Sequence, residues 1–544
     1  MLQPAPNMSG SNLTAPSPLG VERLTTQAIT DCIRVLETIC ADRTELAYLE
    51  LELRNRLMTA AGRVSRPERA EQKVLSREVR RKEKREVREA DRAVLAQAGI
   101  RQKRLEPVYI TPDRPALSEA GGGAFQLGAG APAPANSDSA DEASEATEDL
   151  PPLNVARSCY ICKTRCVRMH GFYDHMCPEC GDFNFAKRSQ TADLRGRTAL
   201  ISGARVKIGY QAAILLLRAG ARVIVSTRFP RDAALRYARE KDYEDFRDRL
   251  QIYGLDLRHT PSVEAFAELL NRTEERLDFV LHNACQTVRR PSGFYGHLMQ
   301  GELGPLASLP EPAAHLLRDY ETMRAQASRQ LADGNVRARP AIGLQAASAL
   351  SQVALAAEDL EGGSALFPLG ALDADLQQVD RRDINSWRLP LDEVGTVELL
   401  EVQLVNAIAP FLLNARLKPL LQKHRTFDKH IVNVSAMEGQ FYRRYKTDKH
   451  PHTNMAKAAL NMMTRTSASD YAKDGIFMNS VDTGWVTDED PLHIAERKTA
   501  EIGFHPPLDI VDGAARIVDP IFDGINTGHH VWGQFLKDYK STAW

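Results

Sequence analysis

Long apolar runs are missing from this chain: none reaches the roughly eighteen residues that a membrane-spanning helix needs. The opening stretch MLQPAPNMSGSNLTAPSPLG carries neither the basic nor the apolar segment of a secretory leader. The reading is a cytoplasmic chain with no membrane partner. An excess of one charge is also missing. Lys and Arg number 70 against 71 Asp and Glu, so no global attraction to nucleic acid follows. Cysteine is scarce, with eight in 544 residues, and five of the eight fall between Cys159 and Cys180. That clustering excludes a distributed disulfide framework and fits metal ligation.

Residues 1–20, rich in Pro, Ser, Asn and Gly, are expected to be disordered. Residues 21–111 read as a helical, coiled-coil-like region. There Ile29, Ile33, Leu36 and Ile39, then Leu46, Leu49, Leu53 and Leu57, recur at steps of mostly three and four. Such a stripe needs a partner, in an intermolecular coiled coil or a helical hairpin packed on itself. A second helix is expected from Pro67 to near Gly99. Its segment REVRRKEKREVREADR interleaves acids with bases, which favours a solvated helix of i,i+4 ion pairs over a nucleic-acid arm. Residues 112–153, rich in Gly, Ala, Pro and acids, read as a flexible linker. After it come a cysteine module at 154–188 and, over 189–544, alternating strand-like and helix-like segments. That alternation is the pattern of a Rossmann-type, doubly wound parallel α/β sheet.

In CYICKTRCVRMHGFYDHMCPECG the pairs Cys159/Cys162 and Cys177/Cys180 are separated by fourteen residues. Each Cys-x-x-Cys wraps a knuckle whose thiolates face one ion, and two knuckles complete the tetrahedral shell that zinc prefers. Four thiolates leave no open position for water or substrate, so this zinc ribbon is expected to be structural. Cys166, His170 and His175 are spare ligands in the intervening loop. A thioredoxin-like redox role competes, but it needs only one pair and a βαβ surround.

Residues 198–229, TALISGARVKIGYQAAILLLRAGARVIVSTRF, read as strand, turn, helix and strand, with Gly203 and Gly209 bracketing the turn. The helix, expected at 208–219, points its N-terminus where a pyrophosphate would sit. STRF offers Arg228 where an acid would bind a ribose 2′-hydroxyl, so NADP(H) is favoured over NAD(H). Arg205 and Lys207 add positive charge to the same turn. The bland alternative is that these are solvated surface cations.

SGARVKIG, GLDLR, LHNAC, VQLVNAIAP, HIVNVSA, TNMAKAALN and NSVDTGWVT follow one another along the chain. In this order they resemble the short-chain dehydrogenase/reductase family, from about Leu194 onward. The resemblance implies a cofactor site of Gly203, Arg205, Lys207, Ile208, Gly209 and Arg228. It adds Asp256 and Leu257 beside the adenine, Asn283 and Ala284 at a strand end, and Gly484, Val486 and Thr487 closing on the nicotinamide. It also implies Ser435, Asn406 and Lys457 as catalytic residues, Lys457 doubling as a ribose ligand. The activity implied is hydride transfer to or from a small carbonyl or alcohol substrate, in a homo-oligomer.

The pattern breaks at Thr453, where the family carries its tyrosine acid, four residues before Lys457. An aliphatic hydroxyl is far less acidic than a phenol with a pKa of about 10. The segment between Ser435 and Lys457 is longer than the family's usual spacing and contains Tyr442, Tyr445, His450 and His452. Tyr442 and Tyr445 are the candidate replacement acids, with His452 an alternative. A second departure is an insertion at about 286–395, a lid or a docking surface, with helices expected in LLRDYETMRAQASRQLA and LQAASALSQVALAAE. Its Arg289 and Arg290 read either as binders of an anionic substrate or as partners of nearby acids. Two functions stay open: an NADP(H)-dependent oxidoreductase, and a non-catalytic NADP(H) sensor that reports to a protein held by the N-terminal helices or the ribbon.

Overall fold

In the computed structural model, residues 24–113, 149–332, 341–360, 363, 365–441 and 446–544 are described. The expected disorder at 1–20, most of the expected linker, and both Tyr442 and Tyr445 lie outside them. The chain divides into a unit ending at Val87 and a second running from Arg88 to Trp544.

In the first unit, α1 (Thr26–Ala41) begins at Thr25, whose hydroxyl accepts from Ala28 N. The break after α1 is set by Asp42, which accepts from Thr44 N, and α2 (Leu51–Ser65) follows. Neither helix has a buried residue, so the Ile29/Ile33 face is exposed among the described residues. The long α3 (Arg69–Ala96) then leads into the second unit.

The second unit is built on an eight-stranded sheet. Its strands are β1 (Thr198–Ser202), β2 (Arg222–Thr227), β3 (Leu250–Gly254), β4 (Phe279–His282), β5 (Lys429–Ser435), β6 (Ile476–Asp482), β7 (Phe535–Lys537) and β8 (Lys540–Thr542). The spatial order is 8-7-6-5-4-1-2-3, with every pairing parallel except β7 with β8. Strands such as TALIS are buried at every residue, as a sheet covered on both faces requires. One covering layer joins α5 (Lys207–Arg218) to the last helix, α9 (Ile510–Thr527). The other joins α6 (Thr260–Thr273), α7 (Ala409–Gln422) and α8 (Pro451–Ala472). The stretch Thr396–Gln422 is long and apolar enough to cross a membrane by length and composition, and here its α7 portion lies against α6.

The cysteine module is bolted to this sandwich. Its helix α4 (Pro178–Ser189) sends Arg188 to Asp509 in two bonds of 2.6 and 2.7 Å, while Tyr173 donates to Asp512 at 2.5 Å. Around these bonds Phe172, Tyr173 and Met176 share an apolar cluster with Val486, Leu508 and Ile510. The insertion forms short helices. Arg318–Ala332 matches the first expected one, but the second is two separate turns, Ile342–Gln345 and Ala347–Leu350. Ala346 between them is extended in φ at −139°, which ends the first turn and starts the next. Phe294, Tyr295, Leu298 and Phe367 gather around Phe229 and seat the insertion over the end of β2.

Candidate functional site

A cavity of about 1210 Å³ opens at the carboxyl ends of β1, β2, β4, β5 and β6, where the strand order reverses and open α/β sheets bind ligands. At its floor, Gly203 adopts φ +70°, and a Cβ there would fall 2.7 Å from Ala284 Cα. A Cβ on Gly209 would strike Asn283, whose amide donates to Gly203 O at 2.9 Å. Asn283 and Ala284 therefore staple the turn, Ala284 N adding a 3.2 Å bond to Ser202 Oγ. Lys207 holds φ +56° at the position where the family pattern has glycine. The N-cap of α5, Val206, supplies no side-chain hydrogen bond, so the first amides of this twelve-residue helix face the cavity without a cap. These features fit a dinucleotide pyrophosphate.

The cations divide. Arg228 donates to Tyr295 Oη at 2.7 Å and lies on the Phe229 and Tyr295 rings, with no carboxylate in ion-pair range among the described residues. Arg205 is buried and held by Asp232 at 2.6 Å, so it is neither a solvated cation nor a free one. Lys207 Nζ stands 4.0 Å from Asp375. Asp256 is clamped by Arg258 at 2.7 Å, which offsets burial and holds its carboxyl below the usual range. Leu257 is buried beside it. Arg289 pairs with Asp359 at 2.6 Å and Glu401 at 3.0 Å, and Arg290 pairs with Asp380. Of the two readings of that Arg pair, the structure has the partnering with acids.

At the other end, Asn406 sits in a π-helical turn, Leu404–Ile408, a distortion frequent at functional sites. Its amide exchanges bonds with the Gln286 backbone, accepting at 2.7 Å and donating at 3.2 Å. Lys457 Nζ donates to Val434 O at 2.8 Å. Ser435 donates to Asn461 Oδ1 at 2.6 Å. Thr453 Oγ1 is buried and has no hydrogen-bond partner among the described residues. His452 is buried beside Glu398, 3.3 Å away, and does not line the cavity, whereas His450 does, stacked at 3.8 Å on Trp387. Gly484 adopts φ +76°, Val486 is buried near Ile208, and Thr487 donates to Glu489 at 2.6 Å.

Two cavity residues escaped the sequence reading. Asp482, paired in register with Ser435, accepts from Met437 N at 3.2 Å, and burial pushes its carboxyl up to about 6. Its signal was the acid in VDTG just before Gly484. Tyr160 lies inside the first Cys-x-x-Cys and donates nothing to the sequence pattern, yet its hydroxyl accepts from Trp485 N at 3.0 Å.

The sulfurs of Cys159, Cys162, Cys177 and Cys180 all lie within 4.8 Å of one another. Sulfurs bound at about 2.3 Å around one tetrahedral ion sit close to this spacing, so the four residues fit a metal. The spare ligands are engaged elsewhere. His170 Nδ1 accepts from Phe172 N at 3.0 Å, His175 Nδ1 lies 2.8 Å from Asp174, and Cys166 Sγ lies 3.8 Å from Arg157 O.

The profile of a family described as Enoyl-(Acyl carrier protein) reductase matches residues 388–502, which carry Asn406, Ser435, Lys457 and Gly484. An uncharacterized protein of Acanthamoeba polyphaga mimivirus is 31% identical over 383 residues, 67% of this chain and 71% of its own. Dehydrogenase/reductase SDR family member 13 of Bos taurus is 38% identical over 104 residues, 18% of this chain and 27% of its own length. A solved short-chain dehydrogenase/reductase from Burkholderia multivorans with bound NADP aligns over 64% of this chain and 99% of its own, with 17% identity and a TM-score of 0.37. With the parallel sheet, the glycine turn and the motif order already described, the profile and the dehydrogenase relatives show that the chain resembles the short-chain dehydrogenase/reductase family.

Proposed function

We propose that the chain is an NADP(H)-dependent oxidoreductase of a small carbonyl or alcohol substrate. The observation that carries this reading is that one cavity runs from Arg228, a cation with no carboxylate in ion-pair range among the described residues, to Lys457. When bound, the nicotinamide supplies or accepts the hydride. Arg228 would hold a ribose 2′-phosphate, and the amides at the start of α5 the pyrophosphate. Lys457 would hold the nicotinamide ribose and favour the ionised form of a neighbouring acid. Asn406 fixes the Gln286 backbone at the cavity wall. The proton donor is assigned, on sequence alone, to Tyr442 or Tyr445. We further assign zinc to the four cysteines as a structural ion, a ligand set suited to a reducing, cytoplasmic setting. Exposed Leu400, Ile408, Phe411, Met455 and Met462, on the neighbouring Thr396–Gln422 stretch and α8, support a homo-oligomer.

A second reading, a non-catalytic NADP(H) sensor with a partner on α1, α2 or the ribbon, is favoured by the Ser435 hydroxyl being committed to Asn461 and by Thr453. Purified protein with NADPH or NADP+ and a carbonyl and alcohol panel, followed at 340 nm, separates the two. Turnover abolished by Lys457→Ala and by Tyr442→Phe or Tyr445→Phe supports the enzyme. Tight binding without turnover across the panel supports the sensor.

A further inference from the structure

The first cysteine knuckle reaches the cavity. Tyr160 and Lys163, beside the ligand pair Cys159 and Cys162, line the same wall as Gly484 and Trp485. The contact is specific: Trp485 N donates to the Tyr160 hydroxyl at 3.0 Å, across 325 residues of sequence. A Cβ placed on Gly484 would lie 3.2 Å from that hydroxyl and would also strike Leu508, so the loop is shaped to the tyrosine. Gly484 holds φ +76°, a conformation that only glycine adopts readily, and the loop is fixed in it from below.

The tyrosine is itself fixed by the knuckle. Tyr160 N donates to His175 O at 2.7 Å, and Lys163 N closes the turn onto Cys159 O at 3.1 Å. An ion shared by the four sulfurs would fix Cys159 and Cys162 relative to each other, and with them the knuckle that carries Tyr160. Val486, on the far side of the same loop, packs in one apolar cluster with Cys159 and Leu508. Loop and knuckle are thus one packed element with a metal position at its base.

We propose that Tyr160 is a positioning residue for the dinucleotide site: metal held by the four cysteines fixes its hydroxyl under the Gly484–Thr487 loop, so that metal loading sets NADP(H) affinity. This rests on the NADP(H) reading above. The ribbon is then part of the binding site's wall.

The test uses full-length zinc-loaded protein, wild type and Tyr160→Phe, with wild type stripped by chelator and then reloaded with zinc. Three quantities are read: zinc content, NADPH affinity by fluorescence titration, and hydrogen exchange at the Trp485 amide. Tyr160→Phe is expected to keep its zinc, bind NADPH about tenfold more weakly and exchange the Trp485 amide about tenfold faster, the loss of roughly one hydrogen bond. Stripped protein should show both changes and reloading should reverse them. The proposal is overturned if Tyr160→Phe keeps wild-type affinity and exchange, or if stripped protein that stays folded does so. Should chelation unfold the chain, the zinc-loaded Tyr160→Phe decides alone. Should wild type fail to bind NADPH at all, the cofactor reading fails, and unaltered exchange at Trp485 in Tyr160→Phe would separately overturn the positioning role.

Discussion

Ser435, on the cavity wall, gives its Oγ hydrogen to the buried Asn461 Oδ1 at 2.6 Å and so ties β5 to α8. Asn461 Nδ2 has no partner among the described residues, and Ser435 satisfies the Oδ1 of this buried amide. Ser435→Ala is therefore expected to cost about 1–3 kcal/mol in urea unfolding. A double-mutant cycle with Asn461→Ala should return a coupling of about 1 kcal/mol. A coupling near zero would mean that the serine hydroxyl points elsewhere in solution.

Arg228 has aromatic faces and one phenol for company and no carboxylate in ion-pair range among the described residues. Its charge-assisted bond to a 2′-phosphate would contribute about 1.5–3 kcal/mol. Arg228→Ala should weaken NADPH by roughly ten- to a hundredfold while leaving NADH within about twofold. Parallel titrations with the two cofactors check this, and equal losses for both would contradict the assignment.

Lys207 keeps a side chain at φ +56°, which costs an L-residue roughly 1–2 kcal/mol relative to glycine. Lys207→Ala and Lys207→Gly remove the same ammonium and its 4.0 Å approach to Asp375. Only the glycine variant relieves the backbone, offset by about 0.4–1 kcal/mol of extra freedom in the unfolded chain. Lys207→Gly should unfold at higher urea than Lys207→Ala by the equivalent of about 0.5–1 kcal/mol.

Asp482 titrates in an accessible window. Burial raises its carboxyl from 3.8 to about 6, so the folded state holds this proton more tightly than the unfolded chain. The group's contribution is fully present below about pH 4 and is lost as pH rises through about 6. Asp482→Asn keeps the acceptor for Met437 N and cannot ionise. It should be more stable than wild type at pH 8 by roughly 3 kcal/mol, with the difference closing by pH 4. Urea midpoints at several pH values test this, and parallel profiles would rule it out.

The parts of the fold that were legible in the sequence are those with local causes. TALIS and RVIVST carry unbroken apolar runs, Ala199–Ile201 and Val223–Val225, and such a run suits a strand buried on both faces. The Cys-x-x-Cys pairs likewise carry their meaning in their spacing. What stayed hidden depends on partners remote in sequence. Nothing in the sequence showed that Asp232 closes on Arg205, or that Glu401, 112 residues away, closes on Arg289. Tyr160 gave no sign of Trp485. The alanine-rich stretch around Ala347 has the composition of one helix, and nothing in it marks the break at Ala346.

The anchoring of α4 on α9 sets an order of events during synthesis. The cysteine pairs are close in sequence and can gather an ion soon after leaving the ribosome. Their docking partner is not yet made: Arg188 meets Asp509 only after another 321 residues have been added. Until then the face bearing Phe172, Tyr173 and Met176 has no Leu508 or Ile510 to cover it. The nascent module must wait with that surface open for most of translation, an interval in which uncovered apolar surface is prone to aggregate.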